Sequence, residues 1–212
     1  MGYMEKEEKK GFEGVYLLAI FYVVSVYMAL VLYYVLSNHL DPESNLIFYP
    51  FFVPVLLGIV NYIYVFLNKE KIGRIPLLNC SILIKYTMIP IYLMGALIIA
   101  VCLLMMISPI VIMMFIGPTV AVILSVVGWV YMMGGAAYSL AYISLSKKQE
   151  VHGKILSIVA TILQFFFTVD VISVMVLALK EKRCVKSTIA MLSIFVIGFI
   201  AIVVWLIVKI LS

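Results

Sequence analysis

Asp170 is the residue best placed to do chemistry. It is the sixteenth residue of a 25-residue apolar segment, Ile155 to Leu179. If that segment is one spanning helix, a rise of about 1.5 Å per residue puts the carboxyl within about 5 Å of the bilayer midplane. Insertion scales make an aspartate there roughly 2.5–3.5 kcal/mol unfavourable. A chain keeps such a group for ion or proton handling, for a buried partner, or beside a water-filled cavity. The competing reading is a neutral carboxyl that hydrogen-bonds a neighbouring helix and fixes packing.

The same segment has a second polar feature. Ser157, Thr161, Gln164 and Thr168 recur at spacings of four, three and four, which is one stripe of a helix. Asp170 and Ser173 fall on the opposite side. A helix polar on two sides cannot turn both to lipid, so this one belongs at the centre of a bundle. The stripe either lines a hydrophilic path or makes the interhelical hydrogen bonds common to such residues. Asn61, in an earlier apolar segment, is a further buried polar candidate. Lys85 reads as snorkelling to the interface rather than reaching Asp170. His39 and His152 fall in loops and read as solvated histidines.

Another constellation concerns packing. In GGAAYSLA, Gly134 to Ala141, the small pairs Gly135/Ser139 and Ala137/Ala141 are four apart, a spacing that lets helix backbones approach closely. A hinge at Gly134-Gly135 is the alternative. The chain has no H-E-x-x-H, no phosphate-binding Gly-Lys-Ser/Thr loop and no G-x-S-x-G, and no second intramembrane carboxylate to pair with Asp170 as an acid dyad. His39 and Cys80 are not placed as a Cys/His pair. Cys80, Cys102 and Cys184 are scattered and odd in number, which makes neither a disulfide framework nor a metal pattern. The expectation is a protein without catalytic residues, metal or cofactor.

These residues sit in elements made for lipid. From Tyr86 to Ser146 run 61 residues without a charge, Asn, Gln or His. The chain is 66% apolar and 12% charged, whereas soluble domains are nearer half apolar and a quarter charged. A span needs about 20 apolar residues, and continuous rather than alternating runs select helices over a barrel. The expected fold is therefore all-α, a polytopic transmembrane helix bundle in one domain. Six spans are expected at 14–37, 47–67, 80–107, 119–146, 155–179 and 188–211, after a polar tail at 1–13. Glu5 and Lys9 suit a helical i,i+4 pair, with a short flexible tail as the alternative. The uncharged run is expected to turn around Ser108 to Pro118.

Basic residues predict orientation. Lys6, Lys9 and Lys10 in the tail, Lys69, Lys71, Arg74 and Lys85 after the second segment, and Lys147, Lys148 and Lys154 after the fourth alternate with loops that carry none. This puts the N-terminus in the cytoplasm of a cell-membrane protein. Lys180, Lys182, Arg183 and Lys186 break the alternation, so the alternative is five spans plus one re-entrant or in-plane helix at 155–179. The net charge of +5 is spread over separate short loops, which suits anionic lipid and not nucleic acid.

The stretch QFFFTVDVISVMVLALKEKR, followed by a final apolar span, resembles uncharacterised families of small multi-span bacterial membrane proteins. The likeness covers mainly Leu140 to Leu211. It implies a helical polytopic membrane protein and carries over no activity. Function is expected to be that of a non-enzymatic assembly, sensing or accessory component acting through helix–helix contacts. The alternative is a small transporter or channel with Asp170 as an intramembrane proton or cation site. Expected partners are the lipid bilayer and a membrane protein or a second copy of the chain.

Overall fold

The computed structural model describes residues 2–41, 44–107, 110–166, 169–182 and 184–211, with side chains from residue 14 onward apart from 195, 206, 210 and 211. Within them every element is helical. The order is α1 (Gly2–His39), a 3₁₀ turn (Asn45–Phe51), α2 (Phe52–Ile72), α3 (Arg74–Leu104), a second 3₁₀ turn (Met105–Ile107), α4 (Val111–Lys148), α5 (Lys154–Leu163), α6 (Val169–Lys180) and α7 (Val185–Leu211). An apolar chain without water must satisfy each backbone group internally, and the helix does this within a single segment.

Among the described residues, five stretches are long and apolar enough to cross a membrane: Gly14–His39, Asn45–Ile72, Arg74–Ile107, Val111–Lys148 and Val185–Lys209. The polar start of the chain is helical from Gly2, so the backbone positions of Glu5 and Lys9 fall one turn apart. α2 and α3 are separated by Gly73 alone, whose φ of 83° gives the left-handed reversal that glycine adopts without a Cβ penalty. Its N–H donates to the Lys69 carbonyl at 3.1 Å and closes α2.

Two expectations are corrected. The turn in the uncharged run does not extend to Pro118, because Gly117 and Pro118 lie inside α4. Gly117 is needed there: a Cβ would collide with the carbonyl oxygen of Cys102, so the missing side chain lets α4 lie against the end of α3. Ser108 and Pro109 are outside the described residues. The second correction concerns 155–179, which is not one helix. It is α5 and α6, of 10 and 12 residues, with 3₁₀-type bonds from Phe165 to Ile162 and from Phe166 to Leu163 at the interruption. Gln164 followed by three phenylalanines is a weak helical sequence, and Asp170 is favoured in a first turn, where its carboxylate meets the positive end of the helix. Each half rises only about 15–18 Å, half of a hydrocarbon core.

The chain forms two compact units. The first contains residues 1–87 and 131–174, the second 88–130 and 175–212. In the first, Tyr22 of α1 is buried and its hydroxyl donates to the carbonyl of Tyr131 on α4. Tyr131 in turn donates to the Phe51 carbonyl at 3.1 Å. A Cβ built on Gly58 of α2 would stand 2.9 Å from the Cα of Gly134 on α4, so the two backbones are in direct contact. In the second unit, Gly198 of α7 lies against Leu93 of α3, 3.0 Å from where its Cβ would be.

Candidate functional site

The first unit gathers the polar residues. α3 carries Ser81 and, one turn on, Lys85, both fully buried. The Lys85 ammonium donates to Asp170 Oδ2. The other carboxylate oxygen, Oδ1, accepts the Val171 N–H at 2.8 Å, and the Asp170 N–H continues the chain's helical bonding to the Phe166 carbonyl at 3.1 Å. The carboxylate is thus held by one charged and one backbone donor at the first turn of α6. A buried charge persists only when paired and hydrogen-bonded, and here both conditions are met.

Lys85 was expected to stay at the interface. That expectation rested on a depth for Asp170 measured along one straight helix, and the interruption between α5 and α6 removes that ruler. The available signal was charge: Lys85 is a lone lysine inside an apolar segment, and Asp170 is a lone aspartate inside another.

α5 is inside out. Ser157, Ala160 and Gln164 are buried, while Ile155, Ile158, Val159 and Ile162 are exposed. That is the polarity expected of a helix whose surroundings are apolar, not aqueous. Ser157 Oγ donates to the Gly153 carbonyl at 3.3 Å, and Thr161 Oγ1 donates to the Ser157 carbonyl at 2.8 Å. Gln164 ends the helix with both Oε1 and Nε2 buried and without a partner. Thr168 lies outside the described residues. Ser173 and Asp170 are buried on α6, and Ile172 and Val176 are exposed. A straight helix would turn these two polar sets apart; two short helices each bury their own.

α4 presents a second buried row, Tyr138, Tyr142 and Ser146, spaced four apart. The Tyr138 hydroxyl donates to Asn61 Oδ1 at 3.0 Å, while Asn61 Nδ2 has no partner. The Tyr142 hydroxyl pairs with His152 Nε2 at 2.8 Å. His152 is only 6% exposed, so it is not the solvated loop histidine expected; loop position says nothing about burial once the loop folds back on α4. His39 at the end of α1 is exposed.

The small residues lie on the packed side of α4. Gly134 and Gly135 leave room for Tyr22 and Ile84, whose atoms would be 2.5 Å and 2.8 Å from added Cβ atoms. Ala137, Ser139 and Ala141 are buried, and Ser139 Oγ donates to the Ala136 carbonyl at 3.2 Å. At the ends of α2 and α4, Lys69 Nζ donates to Ser144 Oγ at 3.2 Å and Lys148 Nζ to Glu70 Oε1 at 2.6 Å. The Lys148–Glu70 pair is exposed and contributes little to stability. Chemically, the unit offers one buried ion pair, Lys85–Asp170, and a set of buried groups able to donate and accept hydrogen bonds.

Comparison with curated proteins and with solved structures gives no match. A family model does match, over residues 12–183. It therefore reaches well beyond the C-terminal stretch on which the sequence resemblance rested, and it stops before α7. The chain belongs to the family of unknown function DUF6652.

Proposed function

We propose that the chain is a non-enzymatic multi-pass membrane protein that handles a proton or a small monovalent cation at the Lys85–Asp170 pair. The observation behind this reading is the position of the pair: both side chains are buried, and Asp170 stands where α5 gives way to α6. Intramembrane ionisable residues mark ion and proton sites. Interrupted helices supply the polar ends that such sites use. The basic residues of the tail and of the connections after α2 and α4 favour a cytoplasmic N-terminus in a cell membrane.

Proteoliposomes test the reading. With a fluorescent pH indicator inside and an imposed potential, the wild-type protein should carry charge. Asp170→Asn should reduce the rate at least tenfold while eluting as a folded species. Wild-type vesicles that carry no proton, sodium or potassium, or an unchanged rate in Asp170→Asn, would remove the reading.

The other reading, an assembly or accessory component, is favoured by α7. None of its most apolar window is buried, which leaves a face open to another membrane helix. A photoreactive residue at Ile197, 67% exposed, should then cross-link to protein. Cross-links to lipid alone would count against it.

A further inference from the structure

Among the described residues, Gln164 is the one side chain with two buried polar atoms left unpartnered. Its carboxamide is 0% exposed, and neither polar atom meets a protein partner. Burying an amide without hydrogen bonds costs several kcal/mol on the order of 2–7, so the working protein must give this group something to bond. Its neighbours along the chain say what. Counting back along the buried side of α5, Thr161 lies three residues before it and Ser157 four residues before that. Ser157 bonds to the carbonyl of Gly153, the residue next to His152. Counting forward, Asp170 follows six positions on, across the interruption.

On α4, the hydroxyl of Tyr142 already holds His152, and Ser146, one turn further, has a buried hydroxyl oxygen with no partner. On α3, the Ser81 hydroxyl, one turn before Lys85, is likewise buried and without a partner. α3, α4 and α5 thus each bury partnerless or bifunctional polar groups.

We infer that the buried polar face of α5 is a one-sided proton path, opening at His152 and ending at the Lys85–Asp170 pair. The inference rests on the ion-handling reading above and narrows its ion to the proton. Hydroxyl and imidazole groups both donate and accept, which suits passing a proton, and the Gln164 carboxamide, an acceptor at Oε1 and a donor at Nε2, can orient a neighbour on the route. A desolvated metal ion wants acceptors alone, and at Asp170 the place of a counter-cation is taken by the Lys85 ammonium. A proton that arrives at Asp170 forms one O–H bond and turns the carboxylate into a carboxylic acid. The Lys85 ammonium is then left without its counter-charge, so the loaded state is the costly one and release of the same proton restores the pair. The neighbouring charged groups at the mouth are Lys147, Lys148, Glu150 and Lys154, all exposed.

The route is read by thiol accessibility in a Cys184→Ala protein, where Cys80 and Cys102 are buried and set the background. Single cysteines at Ser157 and Gln164, with Thr161→Cys as the substitute if Gln164→Cys does not fold, are exposed to a small charged methanethiosulfonate in vesicles. They should react at least tenfold faster than Ile158→Cys and Ile162→Cys on the opposite side of the same helix. They should react from the face that carries residues 149–153 and not from the other. Equal rates, or reaction from the opposite face, overturn the route whether or not the protein moves ions. Reactive path positions in a wild-type protein that moves no ion overturn the ion-handling reading and leave the access route. In conducting vesicles the reversal potential should follow the pH gradient; a shift with sodium or potassium at constant pH overturns the proton.

Discussion

The ammonium of Lys85 on α3 meets the carboxylate of Asp170 at the start of α6, across 85 positions of sequence. Their side chains are 1% and 0% exposed. The pair is neutral as a unit, so α6 can begin inside the molecule without an uncompensated charge. It also makes each residue depend on the other, because removing one leaves its partner buried and bare.

Single neutralisations should therefore be costly and not additive. Lys85→Met or Asp170→Leu alone should each lose about 3–5 kcal/mol, and the double variant should recover most of it. Thermal unfolding in detergent micelles measures all three. Losses that simply add would mean that the two groups do not interact.

The contact between Gly58 and Gly134 should make a methyl group intolerable at one glycine and harmless at another. Gly58→Ala must push α2 off α4, where 2.9 Å is the clearance, and should cost about 1–3 kcal/mol as an overpacked site. Gly95→Ala has nothing within 4 Å of its added Cβ and should gain about 0.5–1 kcal/mol from helix propensity. The same unfolding assay ranks them; equal effects would contradict the helix contact.

Tyr138→Phe should remove the donor to Asn61 Oδ1 and leave that carboxamide without its one observed bond. The expected loss is about 1 kcal/mol. Adding Asn61→Leu should return part of it, since a pair of apolar groups leaves no polar atom stranded. A double variant less stable than Tyr138→Phe would contradict the pairing.

Thiol chemistry should distinguish the three cysteines and then the two ends of the α5–α6 pair. In the folded protein Cys184 is exposed and Cys80 and Cys102 are buried, so an aromatic disulfide reagent should titrate one thiol before denaturation and three after. α5 and α6 together rise about 33 Å if they run end to end, enough to cross. A cysteine at Gln149 and native Cys184 should then label from opposite faces with an impermeant maleimide. Labelling from the same face would make 155–179 a re-entrant element.

The sequence was readable where the physics is local. The helical class followed from Tyr86 to Ser146 alone, because an uncharged run of that length has no water for its backbone and must close its hydrogen bonds within each segment. The stripe Ser157, Thr161, Gln164 was visible as a spacing, since helical periodicity depends only on neighbours along the chain. The small pairs Gly135/Ser139 and Ala137/Ala141, each four apart, marked the side of α4 that packs.

Partnership was not readable. Asp170 could be named, but that Lys85 answers it depends on how α3 and α6 meet. The straight-helix assumption for 155–179 gave a depth that argued against the pair. His152 lies in a loop by sequence, and its burial against Tyr142 exists only once that loop folds over α4. Sequence by itself determined the apolar, helical segments, because chain length and side-chain polarity set the cost of every backbone group in lipid. Tertiary structure decided which polar groups meet, because a hydrogen bond between helices is fixed by packing at a distance that no local pattern records.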